Sequence, residues 1–282
     1  MYKETKWAKK IISLQNTDGA WGYFHSLSEP NKYPMTTEQA LRRLLFLGYT
    51  IDDVVIQKAV EYMSDCLQGK NQIPDRREKL HDWDIFTNMM LSTWTRKITK
   101  QNNQANEIAE SWAKIITVAF AGRAYNHSEY VRAYTEIFGI KPKGGRFVDF
   151  VSHYQVSLIA DNLNVETENA VFDYILSHNS GIYYICNGPL CTLPSVYKSK
   201  LASYYLGAIE LLSAYKNNLH KLKFVLDWLL NNRNENGKWD MGATTRDGVY
   251  FPLSDSWRHA EAREMDCTYR IQKIVDSLNT VV

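Results

Sequence analysis

Hydrophobic residues recur at intervals of three and four along much of the chain, the spacing that places side chains on one face of a helix. The clearest runs of this kind lie near the two ends, at residues 7–14 and 224–230. Each run leads into a polar segment with a glycine, Gly19 or Gly237, which suits the left-handed conformation that ends many helices. The pattern predicts two helices that close on glycine turns.

The two polar segments also share a tryptophan two residues after the glycine, Trp21 or Trp239. We expect each tryptophan to fold back over the preceding helix as an apolar cover. Three weaker copies of the pattern, an amphipathic run followed by a glycine, lie between these two segments. Repeats at a regular spacing indicate stacked structural units. The glycines of the five copies recur every 50 to 59 residues, at positions 19, 69, 122, 181 and 237.

A unit of this length has room for two helices, and each interval contains a second stretch with helical spacing. These stretches are more apolar around their circumference than the first helices, as is typical of helices buried on several sides. The sequence therefore predicts an all-α protein with an outer and an inner ring of helices. The predicted inner helices are 37–48, 82–91, 130–138, 147–163, 201–215 and 266–275.

The length, composition and charge of the chain exclude some classes of function. With 282 residues, 45% of them hydrophobic, and no obvious linker, the chain is expected to form one domain over residues 1–282. The net charge of +2 is scattered, so nucleic-acid binding is not expected. There is no apolar stretch of 18 residues and no signal-peptide pattern, which predicts a cytoplasmic protein and leaves peripheral contact with a membrane open.

The four cysteines are too few for a disulfide scaffold in a chain of this length. Cys186 and Cys191 are five residues apart, which is not the close CxxC spacing of a zinc site. We expect no metal and no cofactor, and we interpret this segment as a turn with small buried thiols.

Five residues of the first turn segment resemble the QW repeat of the terpene cyclase and protein prenyltransferase superfamily: Gln15, Asp18, Gly19, Trp21 and Gly22. The starts of two inner helices, at 36–41 and 264–270, are similar to the Asp-x-Thr-Ala starts of that superfamily's inner helices. The resemblance implies an (α/α) toroid of five to six helix pairs around a central cavity. It also implies that the QW residues are structural.

Parallel inner helices would gather their first turns at one mouth of the cavity. This predicts a rim made of Glu38, Asp82, Asp84, Asp149, His153 and Asp266. Acidic residues in a first turn also stabilise the helix dipole or cap the helix, by about 0.3 to 1 kcal/mol each, so a purely structural role is the alternative for each of them.

The segment Asp82-Trp83-Asp84 has two carboxylates beside a large aromatic ring, and crowded or desolvated carboxylates can act as general acids. It is similar to the Asp-x-Asp-Asp motif with which class II terpene cyclases protonate an alkene or epoxide. Asp84 matches the proton donor, whereas Ile85 stands where that motif has its last acid. We expect the catalytic residues to be Asp84, Asp82 and Asp266.

Aromatic residues make up 13% of the chain and several fall on the predicted inner helices. Aromatic faces stabilise carbocations and also form hydrophobic walls, so they suit an isoprenoid, although core packing would use them equally well. The predicted substrate-binding residues are Glu38, Trp83, Phe86, His153, Tyr154, Tyr204, Tyr205 and Tyr269.

Three other functions remain as alternatives. A zinc prenyltransferase is disfavoured, because Asp266 and Cys267 are adjacent and no ligand set can be matched. A carbohydrate-active (α/α) barrel, either a glycoside hydrolase or a polysaccharide lyase, would use acids with a Tyr, His and Arg set that includes Arg270, and the loop 242–264 as a lid. A non-catalytic toroid would bind a lipid or a protein.

Overall fold

The computed structural model describes residues 2–25, 34–79, 82–143 and 150–279. These residues form eleven α-helices and two short 3-10 helices without a β-strand, so the all-α prediction is confirmed for them. The α-helices are α1 (Lys6–Ser13), α2 (Thr37–Phe46), α3 (Val54–Leu67), α4 (Trp83–Ile98), α5 (Asn103–Ala119), α6 (His127–Phe138), α7 (His153–Ile159), α8 (Val165–Ser177), α9 (Lys200–Leu212), α10 (Lys223–Asn231) and α11 (Ala260–Asn279). The 3-10 helices are Lys216–Leu222 and Ala243–Thr245.

Internal packing divides the described residues into two compact units. The first unit contains residues 2–25, 34–79, 82–111 and 142–143, and the second contains residues 112–141 and 150–279.

In the first unit, α1 packs against α2 and α3 packs against α4. Thr36 caps α2 through a capping box with Gln39, in which each side chain accepts a hydrogen bond from the other residue's backbone amide. Every residue from Met89 to Arg96 of α4 is buried, so this helix is enclosed around its whole circumference. The expectation that it is buried on more than one side is confirmed.

In the second unit, α9 is enclosed in the same manner, with all residues from Tyr205 to Ile209 buried. The helix α8 is tied to the 3-10 helix Lys216–Leu222 by the buried carboxylate of Glu168. This carboxylate accepts hydrogen bonds from the Asn217 amide at 3.3 Å, the Asn217 side chain at 2.9 Å and the Asn218 side chain at 3.0 Å. Helix α10 packs against α11.

The two tryptophans of the terminal repeats are buried and fold back as predicted. The indole N–H of Trp21 donates to the carbonyl oxygen of Ile11 at 2.7 Å, and that of Trp239 donates to Leu229 at 2.7 Å. Both bonds reach back ten residues. Each indole is a second donor to a carbonyl in the last turn of its helix, which also accepts a hydrogen bond from the amide of the C-cap residue, Leu14 or Asn232.

Each tryptophan also binds the helix that follows it in the repeat. The backbone N–H of Trp21 donates to the hydroxyl of Thr37 in α2 at 3.0 Å, and that of Trp239 donates to the hydroxyl of Thr268 in α11 at 3.1 Å. The glycines have φ values of +93° (Gly19) and +72° (Gly237), which lie in the left-handed region. The two segments thus form the same turn, here called the Gly/Trp turn, once in each unit.

Two details differ from the sequence-based expectations. The helix expected at 147–163 is only α7, because Ser152 pairs in an isolated bridge with Tyr183 and the chain turns after Ile159; residues 147–149 lie outside the described residues. Among the repeat glycines, Gly122 does not have a positive φ, and Arg123 takes the left-handed conformation instead with φ +63°.

Candidate functional site

The two acids at the start of α4 have different environments. The side chain of Asp84 is 80% exposed and lies 3.3 Å from the guanidinium of Arg77. The side chain of Asp82 is only 12% exposed, and its Oδ1 lies 3.3 Å from the Nζ of Lys143. The Oδ2 of Asp82 is buried and has no hydrogen-bond partner among the described residues. Asp82 is therefore the shielded member of the pair.

Aromatic rings stand directly beside these acids. Trp83 is half-buried and its ring centroid lies 6.0 Å from that of Phe86. Phe86 in turn contacts the buried ring of His25 edge-on at 5.8 Å. Trp83 and Phe86 at the start of α4 therefore form a row of three rings with His25, which runs from the half-buried Trp83 to the buried His25.

A third acid, Asp75, holds the backbone that carries His25. Its carboxylate accepts hydrogen bonds from the amides of Phe24 at 2.6 Å and of His25 at 2.8 Å. Asp75 stands in the polar stretch between α3 and α4, and its role could not be read from the sequence because the amides it binds lie about fifty residues earlier.

Glu38 lies in the first turn of α2 and is 1% exposed. Its carboxylate accepts a hydrogen bond from the indole N–H of Trp94 at 2.7 Å, and its own amide donates to the carbonyl of Phe24 at 3.1 Å. The first unit thus brings several of the predicted site residues close to the segment that holds His25. We call the group the acid–aromatic cluster: His25, Glu38, Asp75, Asp82, Trp83 and Phe86.

In the second unit, His153 and Tyr154 open α7 and both are buried, with ring centroids 5.2 Å apart. Tyr154 contacts Tyr184 edge-on at 5.7 Å, and the amide of His153 donates to the carbonyl of Tyr183 at 3.0 Å. The two predicted residues are thus joined to a neighbouring tyrosine pair that sequence reasoning missed. The dipeptide Tyr183-Tyr184 could have been noticed, but its partner lies thirty residues away.

The other predicted tyrosines of this unit have separate surroundings. Tyr205 is buried, its hydroxyl donates to the carbonyl of Leu190 at 2.9 Å, and burial raises its pKa. Tyr204 is 36% exposed on α9. Tyr269 is half-exposed on α11, where its hydroxyl accepts a hydrogen bond from Lys273 at 2.9 Å. Tyr205 therefore serves packing, whereas Tyr204 and Tyr269 are open to solvent.

Asp266 is 1% exposed and ties the preceding loop to α11. Its Oδ2 accepts hydrogen bonds from the amides of Leu253 and Ser254 at 2.9 Å each, from the Ser254 hydroxyl at 2.7 Å and from the Trp257 indole at 2.7 Å. Its Oδ1 is buried without a hydrogen-bond partner among the described residues. The loop expected to act as a lid is thus fastened at this point.

Arg270 fastens the same loop one turn further along α11. It is 2% exposed, and its guanidinium binds both oxygens of Glu210 on α9, at 3.0 and 2.8 Å. It also donates to the carbonyl of Val249 and lies 3.7 Å from the ring centroid of Tyr250. Glu210 was missed by the sequence reasoning, since it is a single acid on an apolar helix.

The cysteines differ in access to solvent. Burial raises the pKa of Cys186 and of Cys267 to about 11, while Cys191 is exposed. Among the described residues, no group of three or more His, Cys, Asp or Glu side chains is arranged to hold a metal ion. Asp149 lies outside the described residues.

Within the described ranges, no helix combines the length and apolar character needed to cross a membrane. Comparison of the chain with protein-family models, curated proteins and solved structures found no match.

Proposed function

We propose that the protein is an (α/α) toroid of the terpene cyclase and prenyltransferase type that binds an isoprenoid, or another hydrophobic ligand, at the acid–aromatic cluster. The observation that carries the proposal is that the start of α4 combines a contacting ring pair, Trp83 and Phe86, with the shielded carboxylate of its N-cap residue Asp82. Aromatic faces bind hydrocarbon chains and stabilise positive charge, by about 0.5–2 kcal/mol per ring.

The Gly/Trp turns support the architectural part of the proposal. In a repeat protein, each repeat joins its own two helices by the same contacts, and the indole and amide bonds of Trp21 recur at Trp239 with almost equal lengths. The enclosed helices α4 and α9 are what an inner ring requires. Fold likeness alone does not determine function, so the ligand must be tested directly.

Isoprenoid binding predicts a thermal shift that depends on Trp83. Geranylgeranyl diphosphate at about a hundred times its Kd should raise the free energy of unfolding by about 2.7 kcal/mol, and Tm by several degrees. Trp83→Ala should remove the shift while the variant remains folded, because this side chain is half-buried at the edge of the unit. Differential scanning fluorimetry measures both.

Inorganic diphosphate and the variant Trp7→Ala are the matched controls. Trp7 is likewise half-buried in the first unit, on α1, away from the acid–aromatic cluster in sequence. A shift with inorganic diphosphate alone would mean that only the head group binds. Absence of a shift with geranylgeranyl diphosphate and with a free polyprenol would remove the proposal.

We further propose that the Asp pair can start cyclisation by protonating the isoprenoid. The carboxylic acid gives its proton to a terminal alkene carbon and becomes a carboxylate, and the resulting carbocation is attacked by a second alkene of the chain, which closes the ring. A carbon next to the new cation then loses a proton, which returns through water to the carboxylate, so that the product is neutral and the acid is restored. A donor of this kind has to be kept from water, which favours Asp82 over the solvated Asp84. The matching motif position favours Asp84.

Two conservative variants separate these roles. Asp82→Asn and Asp84→Asn both retain the size of the side chain and are expected to fold. If a cyclised product forms from geranylgeranyl diphosphate, the variant of the donor residue should abolish it, as measured by mass spectrometry of the dephosphorylated products. Undiminished product in both variants would exclude the pair from the chemistry.

A further inference from the structure

A closed loop in the second unit, residues 181–188, is built to one conformation. The amides and carbonyls of Ile182 and Cys186 bind each other reciprocally at 3.0 Å. Gly181 has φ +65°, and a Cβ there would lie 2.2 Å from the carbonyl oxygen of Cys186 and 2.5 Å from that of Gly188. Only glycine fits this position, so the loop, called here the tyrosine loop, is tightly specified.

Tyr184, within this loop, has φ +73°. A positive φ is costly for a residue with a large side chain, and such strain persists only where the surroundings enforce it. Here the reciprocal bonds enforce it on one side. On the other side the Tyr183 amide donates to the Val151 carbonyl at 3.1 Å, and the Tyr183 carbonyl accepts from His153 at 3.0 Å.

The effect of this geometry is to present two tyrosine rings together. The ring centroids of Tyr183 and Tyr184 are 4.1 Å apart with planes inclined at 55°, and both residues are half-exposed. The buried ring of Tyr154 contacts Tyr184 from within the unit, and His153 contacts Tyr154 in turn. Ile185 of the loop lies close to α9, since a Cβ added to Gly207 would be 3.6 Å from its side chain. The pair is therefore rigid before any ligand arrives.

We infer that the tyrosine loop binds a hydroxylated ring ligand of the carbohydrate class, at a site distinct from the isoprenoid proposal. A pyranose ring has an apolar C–H face with a hydroxyl rim. Tyrosine matches it with an apolar ring face and a hydroxyl that can donate or accept a hydrogen bond. Rigid, half-exposed tyrosines supply contact area at low conformational entropy cost, which favours binding to a surface that remains wet.

The strain at Tyr184 allows a sharp test. Tyr184→Gly relieves the positive φ but loses the ring contacts and loosens the unfolded chain, so these opposing effects on stability partly cancel and the variant is expected to fold. If the tyrosine loop binds sugar, affinity should nevertheless fall by about tenfold or more, since buried aromatic contacts dominate binding. A purely structural tyrosine would show the stability change without any ligand effect.

The experiment uses the full chain with three tetrasaccharides as probes: cellotetraose, maltotetraose and tetragalacturonate. Saturation-transfer NMR detects contact with the ring protons, and titration calorimetry gives the affinity. Tyr183→Ala is the second site variant, and Trp7→Ala is the control, because Trp7 is a half-buried aromatic residue on α1 in the first unit. Binding by the wild type that both site variants weaken and the control retains is the expected result.

Other results contradict the inference. If none of the three sugars transfers saturation in the wild-type protein, the tyrosine loop is not a carbohydrate site. Equal binding by Tyr184→Gly and the wild type would place any sugar elsewhere on the protein. The same holds if Trp7→Ala loses as much affinity as the loop variants.

Discussion

Asp75, Glu168 and Asp266 lie far apart in the sequence but act alike, because each carboxylate is buried and accepts hydrogen bonds from a neighbouring segment. Burying a charge is costly unless hydrogen bonds compensate it. Removal of such an acceptor leaves buried donors unsatisfied, at about 1–3 kcal/mol each. Asp266, expected as a catalytic residue, therefore has a clear structural role in holding residues 253–257.

Asp240 shows how one ion pair makes stability depend on pH. Its carboxylate binds the guanidinium of Arg263 at 2.6 and 2.7 Å, and this interaction lowers the pKa of Asp240 from its usual 3.8. Because the pKa is lower in the folded state, the stabilisation is fully present above the unfolded pKa. It is lost as pH falls through the folded pKa.

We therefore expect the free energy of unfolding to decrease as the pH is lowered below about 4, and to decrease less steeply in Asp240→Asn. Urea unfolding between about pH 7 and pH 3 measures the slope. Asp276→Asn is the control, since Asp276 is exposed and binds only the neutral side chain of Gln272 among the hydrogen bonds described for it. Equal slopes in the wild type and Asp240→Asn would contradict the assignment.

At the scale of elements, the two Gly/Trp turns are alike in hydrogen bonding but differ in how tightly their glycines are enclosed. A Cβ added to Gly19 would lie 2.3 Å from the carbonyl oxygen of Lys58, a backbone atom in α3 that cannot move freely. A Cβ on Gly237 would meet no atom within 4 Å. Both residues have positive φ, so the two positions differ only in the clash that a Cβ would cause with neighbouring atoms.

Gly237→Ala should therefore cost about 1–2 kcal/mol, the usual penalty for a left-handed residue with a Cβ. Gly19→Ala should lower the free energy of unfolding by clearly more, because the new Cβ must also displace the backbone of α3. Urea unfolding monitored by tryptophan fluorescence compares the two variants. Similar losses would show that the contact between the first turn and α3 relaxes easily.

For the molecule as a whole, the sequence predicted the helices and turns that are formed by residues close together in the chain. Helical spacing located α1, α2, α4 and α9, and the glycine and tryptophan positions located the two turns. It did not predict the shortened α7, because the bridge between Ser152 and Tyr183 joins residues about thirty positions apart.

The candidate site was likewise predictable only where its residues are neighbours in the sequence. The Asp82-Trp83-Asp84 motif was visible, but the shielding that separates Asp82 from Asp84 depends on Lys143, which lies far along the chain. The positive φ of Tyr184 left no trace in the sequence, because residue type disfavours it and only the hydrogen bonds around it impose it.

The two Gly/Trp turns differ in several residues, and the difference six residues before the tryptophan changes the contacts that hold the turn. Gln15 donates to the carbonyls of Gly19 and Val55, at 3.0 and 2.9 Å, whereas Arg233 lies over the ring of Trp239 at 4.6 Å. The same turn is thus compatible with two different side-chain interactions at this position, a pair of hydrogen bonds or a cation–π contact. Segments 15–21 and 233–239 therefore share their indole and amide bonds but are held to their own surroundings by different side chains, so a residue that stabilises one turn is not expected to stabilise the other.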